Sequence, residues 1–152
     1  MKQTTLSFLL KDDQVLLAMK KRGFGAGKWN GVGGKLKTGE GFEDAAIREV
    51  WEEINVRVAP SDLAFAGTLE FEYRDNPDWH QRCHIFLIRN WQGEPTESEE
   101  MRPQWYPMDK LPFSEMWIDD PHWLPKVLAG NAGEKIDGKF LFDETGDALI
   151  DF

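Results

Sequence analysis

At 152 residues the chain is long enough to bury a sizeable core and short for two, so a single domain over residues 1–152 is expected. Its 27 acidic against 18 basic residues give a net charge of −9 with no basic stripe, which disfavours a nucleic-acid polymer as partner; a free nucleotide stays compatible, because a metal ion supplies positive charge locally. The single cysteine, Cys83, excludes an internal disulfide and a thiolate metal site, and reads as a packed strand residue.

The N-terminal run MKQTTLSFLLKDD stays apolar for a few residues before Lys11, Asp12 and Asp13, too short for a secretion signal or a membrane span. A soluble cytoplasmic protein with no membrane partner is the expectation. Residues 4–10 and 15–19 are β-rich runs split by Lys11-Asp12-Asp13-Gln14, the pattern of a hairpin in a central sheet. The next segment, KKRGFGAGKWNGVGG, is dense in glycine, and its GFGAG part has the look of a dinucleotide loop. No helix opens after it, whereas a dinucleotide fingerprint needs strand, turn and helix in succession, so turn chemistry is the reading.

Residues 34–56, GKLKTGEGFEDAAIREVWEEINV, carry the main clue. Gly39-Glu40-Gly41 breaks the chain before a helix starting near Phe42, which leaves Glu40 on a loop facing that helix. At about 100° per residue, Phe42, Ala46, Ile47 and Ile54 fall within roughly 80° of Val50 and make a core-facing stripe. Glu53 and Glu49 lie about 60° and 100° round on the Phe42/Ala46 edge, and Glu52 about another 60° beyond. The three carboxylates form an arc in the C-terminal half, where the macrodipole is already negative and each acid is destabilising by about a few tenths of a kcal/mol. A solvated face with an Arg48–Glu52 pair accounts for exposed acids but not for Glu53 at the apolar boundary. A divalent cation removes the conflict, and oxygen-only donors with no Cys or His nearby suit Mg²⁺ or Mn²⁺.

Residues 56–58, 63–73 and 83–89 alternate as strands, with Arg74-Asp75-Asn76-Pro77-Asp78 as a turn. His80, His84 and His122 lack ligand spacing and read as structural or surface residues. After the loop residues 91–96 come Glu97, Glu99 and Glu100, then a short strand from Met101 to about Tyr106; Glu100, beside apolar Met101, stands out from an otherwise solvated charge run. In PFSEMWIDDPHWLPKVLAG, Asp120 and Pro121 read as the N-cap and first residue of a helix running to about Ala129. Asp119 has no such structural task. Trp117 and Trp123 flank the pair, and flat aromatic faces beside a hydrogen-bonding carboxylate are what a purine base requires. In a partly dry pocket the adjacent acids raise one another's pKa, so one carboxyl is expected to stay protonated and to donate as well as accept. The tail, residues 139–144 and 148–152, looks like a closing hairpin around Thr145-Gly146-Asp147.

The order Gly34, five residues, Glu40, seven residues, then Arg48-Glu49-Val50-Trp51-Glu52-Glu53-Ile54-Asn55-Val56 resembles the Nudix box, G-x5-E-x7-R-E-U-x-E-E-x-G-U, with Asn55 in place of the last Gly. That Gly is a helix C-cap with positive φ, and Asn is the next most tolerant residue there. With MKKRGFGAGKWNGVGGK, ESEEMRP and PFSEMWIDDPHW at this order and spacing, nearly the whole chain resembles the animal-type oxidised-purine nucleoside triphosphatases, the 8-oxo-dGTP diphosphatase branch related to MutT. The resemblance implies an α/β fold, the Nudix α/β/α sandwich with a central mixed sheet. It also implies Mg²⁺-dependent hydrolysis of oxidised purine nucleoside triphosphates, 8-oxo-dGTP and also 2-hydroxy-dATP, to monophosphate and pyrophosphate, which sanitises the nucleotide pool. A monomer acting on a small-molecule substrate is expected.

Carried over by position, the resemblance implies Glu49 as candidate general base and Glu52 and Glu53 as metal ligands, with Arg48 fixing these catalytic acids through ion pairs. The Gly34 carbonyl, Glu40 and Glu100 complete the implied metal set. The implied base pocket comprises Thr5, Lys20, Phe24, Asn30, Phe71, Tyr73, Met101, Trp117, Asp119, Asp120 and Trp123. Tyr73 stands where a Phe is expected and Gln81 where a Met is expected, two differences that bear on base preference. Two other readings stay open: hydrolysis of another nucleoside diphosphate-linked compound, such as a nucleotide sugar or ADP-ribose, and a non-catalytic nucleotide-binding module. The Trp117, Asp119 and Asp120 cluster argues against the first, and intact Glu49, Glu52 and Glu53 against the second.

Overall fold

Residues 1–129, 135–146 and 148–151 are described by a computed structural model. β1 (Lys2–Lys11) and β2 (Gln14–Lys20) form the expected antiparallel hairpin, turned through Asp12, whose short polar side chain tolerates a left-handed backbone (φ 54°). Their alternation feeds two cores. Leu6, Phe8 and Leu10 with Val15 and Leu17 face one, while Leu9 with Leu16 and Ala18 faces the other. The glycine-dense segment opens no helix, as expected, and contains one two-residue strand, β3 (Trp29–Asn30), paired with Ala18 and Met19 of β2. After it, residues 32–35 run alongside β1, with Val32 bridged to Ser7 and Lys35 to Thr4.

α1 (Phe42–Ile54) starts where the sequence predicts and ends on Asn55, left-handed at φ 60° and ψ 33°. The Asn55 N–H bonds back to the Trp51 carbonyl, and its amide donates to Thr96 Oγ1 at 2.8 Å, so the cap is satisfied twice. Val50 and Ile54 pack into the second core with Ile47 beside them. Phe42 corrects the predicted stripe: it is 36% exposed and lies on the His84 ring, because the first turn overhangs the core, whereas Ala45 is buried in its place.

Residues 56–58 are not a strand; Arg57 makes an isolated bridge to Gln92, and a 3₁₀ turn, Pro60–Asp62, follows. β4 (Leu63–Tyr73), β5 (Gln81–Ile88), β6 (Met101–Pro107), α2 (Asp120–Leu128), β7 (Ile136–Phe142) and β8 (Leu149–Asp151) complete the chain. Among the described residues the sheet runs β3-β2-β1-β5-β4-β7-β8, with β6 paired to β2. It is mixed: β1 with β5 and β4 with β7 are parallel, the other pairs antiparallel. Trp123, Leu124, Val127 and Leu128 of α2 pack into the first core, so a helix covers each face and the architecture is the expected α/β/α sandwich. The closing hairpin is present as β7 and β8, while Asp147 of its predicted turn and Phe152 lie outside the described residues. Among the described residues no helix is long and apolar enough to cross a membrane.

Candidate active site

Two glycines sit where neighbours crowd. A Cβ on Gly33 would sit 1.9 Å from the Thr5 carbonyl oxygen, which closes that position to any other residue, and one on Gly34 would sit 2.6 Å from Glu49 Oε1, so a side chain there would displace that carboxylate. The Gly34 carbonyl accepts the Thr5 N–H at 3.0 Å, and the open Cβ side of Gly34 lies against the Glu49 carboxylate. Arg48 is the hub of the acids. Its Nε and Nη2 donate to Glu40 at 2.8 and 3.0 Å, its Nη1 to Glu49 at 2.9 Å and Glu52 at 3.1 Å, and its Nη2 to the Lys35 carbonyl at 3.1 Å. These bonds from Arg48, then the Lys37 N–H, pull the Glu40 carboxyl down to about 2. Glu53 is different. It is 8% exposed, and burial first, then the hydrogen bond to Glu49 and its charge, push its carboxyl up to about 9.

The resemblance places Gly34, Glu40, Glu49, Glu52, Glu53 and Glu100 around divalent metal ions, and in the structure several of these side chains take other partners. Among the described residues no three acids, histidines or cysteines converge closely enough to ligate one ion. Arg48 draws Glu40, Glu49 and Glu52 around its own charge, and Glu100 turns to Arg22, whose Nε and Nη2 donate at 3.1 and 2.5 Å. Like-charged carboxylates separate, and each settles on the nearest guanidinium. The donor chemistry nevertheless fits a hard divalent cation. The Glu49 carboxylate packs against the bare Cα of Gly34, Glu53 hydrogen-bonds Glu49 with a proton that a doubly charged ion would displace, and every donor is oxygen.

From Gly34 and Lys35 a cavity of about 390 Å³ runs to Asp119, Asp120 and Trp123. The residues the sequence places in the base pocket all line it: Thr5, Lys20, Phe24, Asn30, Phe71, Tyr73, Met101, Trp117, Asp119, Asp120 and Trp123. The expected N-cap is corrected. Asp119, not Asp120, is the capping position of α2, and its side chain makes no capping bond, because the chain enters the helix one residue early and turns both carboxyls inward. Each is 2% exposed. The Trp123 indole N–H donates to Asp119 Oδ2 at 2.7 Å, and the two carboxyls hydrogen-bond each other. Burial raises both, and the Asp119 charge beside it lifts Asp120 well above the usual carboxylate range, so the pair retains a proton as the sequence predicts. Asp120 Oδ2 and Thr5 Oγ1 are buried without a hydrogen-bond partner, at a cost of about 1–3 kcal/mol each that a polar-edged ligand would relieve.

Aromatic rings wall the cavity. Tyr73 stacks on Phe142 at 4.9 Å and 13°, and burial, then the Asp119 charge, raises its hydroxyl so that the phenol stays protonated. Lys28 Nζ lies 5.4 Å from the Trp117 ring, a cation–π contact at the cavity wall. Gln81 also lines the cavity, with its Oε1 3.1 Å from the Thr4 hydroxyl. Cys83 is buried, as expected, with its thiol pushed up to about 12 by burial and so inert. The three histidines stay out of the site: His80 bonds the Tyr73 carbonyl, His84 lies between Thr68 and Gln3, and His122 faces Phe140. Trp79 and Phe142 line the cavity without any sequence expectation. A bulky ring in the polar turn 74–80 was the readable signal for Trp79; Phe142 becomes visible only when β7 pairs with β4.

Residues 1–127 match the family model of the NUDIX domain. The chain is similar to the oxidized purine nucleoside triphosphate hydrolase of Danio rerio, 50% identical over 127 residues that cover 84% of this chain and 80% of the relative. It is similar to the protein of the same name from Mus musculus, 46% identical over 145 residues, covering 95% and 89%. A solved structure of a MutT protein from Bacillus halodurans superposes with a TM-score of 0.83 at 25% identity, covering 99% of this chain and 95% of that one.

Proposed function

The chain belongs to the Nudix hydrolase family, and from that premise we propose that it hydrolyses oxidised purine nucleoside triphosphates, 8-oxo-dGTP among them, to the monophosphate and pyrophosphate. The observation that carries this reading is one cavity with two chemistries, running from Gly34, against which Glu49 packs, to a buried pair of aspartates that shares a proton. A flat base held among the aromatic walls meets one donor and several acceptors on that pair. An oxidised guanine and an oxidised adenine present their edge groups in different order, and relocating one proton between Asp119 and Asp120 suits either.

At the other end Arg48 holds the Glu49 carboxylate at 2.9 Å, oriented to take a proton from the attacking water. The Gly34 carbonyl, Glu49 and Glu53 would hold a divalent cation, Mg²⁺ or Mn²⁺, with Glu52 in reach, and such an ion when bound neutralises polyphosphate charge and acidifies water. Lys20 lines the cavity and is near enough to Glu53 to oppose the rise of its pKa, which sets a positive charge where phosphates would pass. We read the chain as one domain, a monomer of the cytoplasm whose partner is the small-molecule substrate.

The test is a panel of 8-oxo-dGTP, 2-hydroxy-dATP, dGTP and ADP-ribose with Mg²⁺, scoring pyrophosphate against phosphate. Oxidised purines should release pyrophosphate with kcat/KM at least about tenfold above dGTP. Faster turnover of ADP-ribose, or phosphate as the product, removes the reading. Asp119→Asn and Asp120→Asn should change the ratio of 8-oxo-dGTP to 2-hydroxy-dATP turnover, and wild-type rates on both would remove the base-pocket assignment.

A further inference from the structure

Trp79 ends a 3₁₀ turn, Pro77–Trp79, and is the one large apolar side chain between Tyr73 and Cys83. Its turn is pinned from several sides. The Trp79 N–H donates to the Asn76 carbonyl at 3.0 Å, the His80 N–H to that of Pro77 at 3.1 Å, and the Lys2 N–H to that of His80 at 3.1 Å. The Asn76 amide also donates to the Glu144 carbonyl. A turn held this way presents its ring with little freedom to lose on binding.

The ring is not spent on the core. It remains half-buried, lines the cavity, leans on Phe24 at 5.0 Å and meets Tyr73 edge-on at 5.5 Å and 87°. Phe24, itself 44% exposed, lies 5.1 Å from Trp117 on its other side. Trp79, Phe24 and Trp117 therefore form one aromatic strip across the cavity. Tyr73 senses the Asp119 charge, which sets it near the polar floor, while Trp79 stands beyond it against exposed Phe24. A half-covered indole face gains by accepting a second flat ring.

We propose that Trp79 is a specificity-determining residue, extending the aromatic wall so that a two-ring base anchored on Asp119 and Asp120 is covered along its full length. A one-ring base anchored on the same floor stops short of it. This rests on the oxidised-purine reading above and adds the residue that selects purine over pyrimidine at that site.

The experiment uses the full chain with Trp79→Ala, Trp79→Leu and Trp79→Phe. Dissociation of 8-oxo-dGMP is measured by calorimetry, and kcat/KM is measured for 8-oxo-dGTP and dCTP. Ala and Leu should weaken 8-oxo-dGMP by about tenfold and lower the preference for 8-oxo-dGTP over dCTP by a similar factor, with KM rising in step, whereas Phe should stay within about threefold of wild type. Leu and Phe keep a large apolar side chain, so they carry the test if Ala fails to fold. Equal behaviour of Leu and Phe, or an unchanged preference, overturns the proposal and leaves the proposed reaction standing. A wild type that binds 8-oxo-dGMP in a Trp79-dependent way yet releases no pyrophosphate from 8-oxo-dGTP overturns the reaction and keeps the proposal. No binding by wild type overturns both.

Discussion

Glu49 with Glu53, near the end of α1, and Asp119 with Asp120, at the start of α2, are two carboxylate pairs that each hold a proton, one beside a guanidinium and one against a neutral indole. The glutamates sit where the helix dipole is negative, Glu49 at 2.9 Å from the Arg48 guanidinium and Glu53 within the influence of Lys20. The aspartates sit where the dipole favours negative charge, yet they lie 2% exposed with a neutral indole N–H as donor, and they retain a proton. Burial outweighs the dipole because removing a carboxylate from water costs several kcal/mol, against about 1 kcal/mol from a helix end. In the reading proposed above, the same functional group serves as a metal-binding base at one end and a hydrogen-bond reader at the other. What differs is the cation beside it.

The largest effect should come from Glu53→Gln, which removes an ionisable donor beside Glu49 without touching the base end. Pyrophosphate release should fall by about 10³-fold, while calorimetry with 8-oxo-dGMP changes by less than about threefold. A collapse of nucleotide binding would show that the two ends are not separable. Next, Asp119→Ala strips the acceptor from the Trp123 N–H and from the base edge, so 8-oxo-dGMP should bind about fiftyfold more weakly. Mn²⁺ binding followed by electron paramagnetic resonance should not move, and a shift there would break the comparison from the other side.

The smallest effect is in stability against pH. The Asp120 carboxyl stands well above its unfolded value, so the folded chain binds the extra proton. Its contribution is fully present below the unfolded pKa of about 3.9 and is lost as pH rises through the folded value. Asparagine has no proton to lose. Asp120→Asn should therefore melt about 3 °C above wild type near pH 8, what roughly 1 kcal/mol yields in a domain of this size, with the gain gone near pH 4. Parallel melting curves for the two proteins across that range would mean that Asp120 is ionised.

Local pattern made much of this legible. Period-3.6 placement put Glu53 at the core edge of α1, and its burial follows from that angle. The tolerance of Asn for positive φ made Asn55 readable as a cap. The misses share one cause. Phe42 overhangs the core and Asp119 rather than Asp120 opens α2, each because a side chain met a neighbour remote in sequence or a backbone turn shifted by one residue.

Residue order alone determined the direction of each side chain along its own element: the alternation that supplies two cores, the arc of Glu49, Glu52 and Glu53, and the acids and rings of residues 113–123. Only the tertiary structure decided which acid lies beside a guanidinium, which keeps its proton and which ring closes the cavity. Periodicity is a property of neighbours along the chain, whereas charge and desolvation depend on distant segments that meet in space, Gly33 against Thr5 and Trp79 against Phe24 among them.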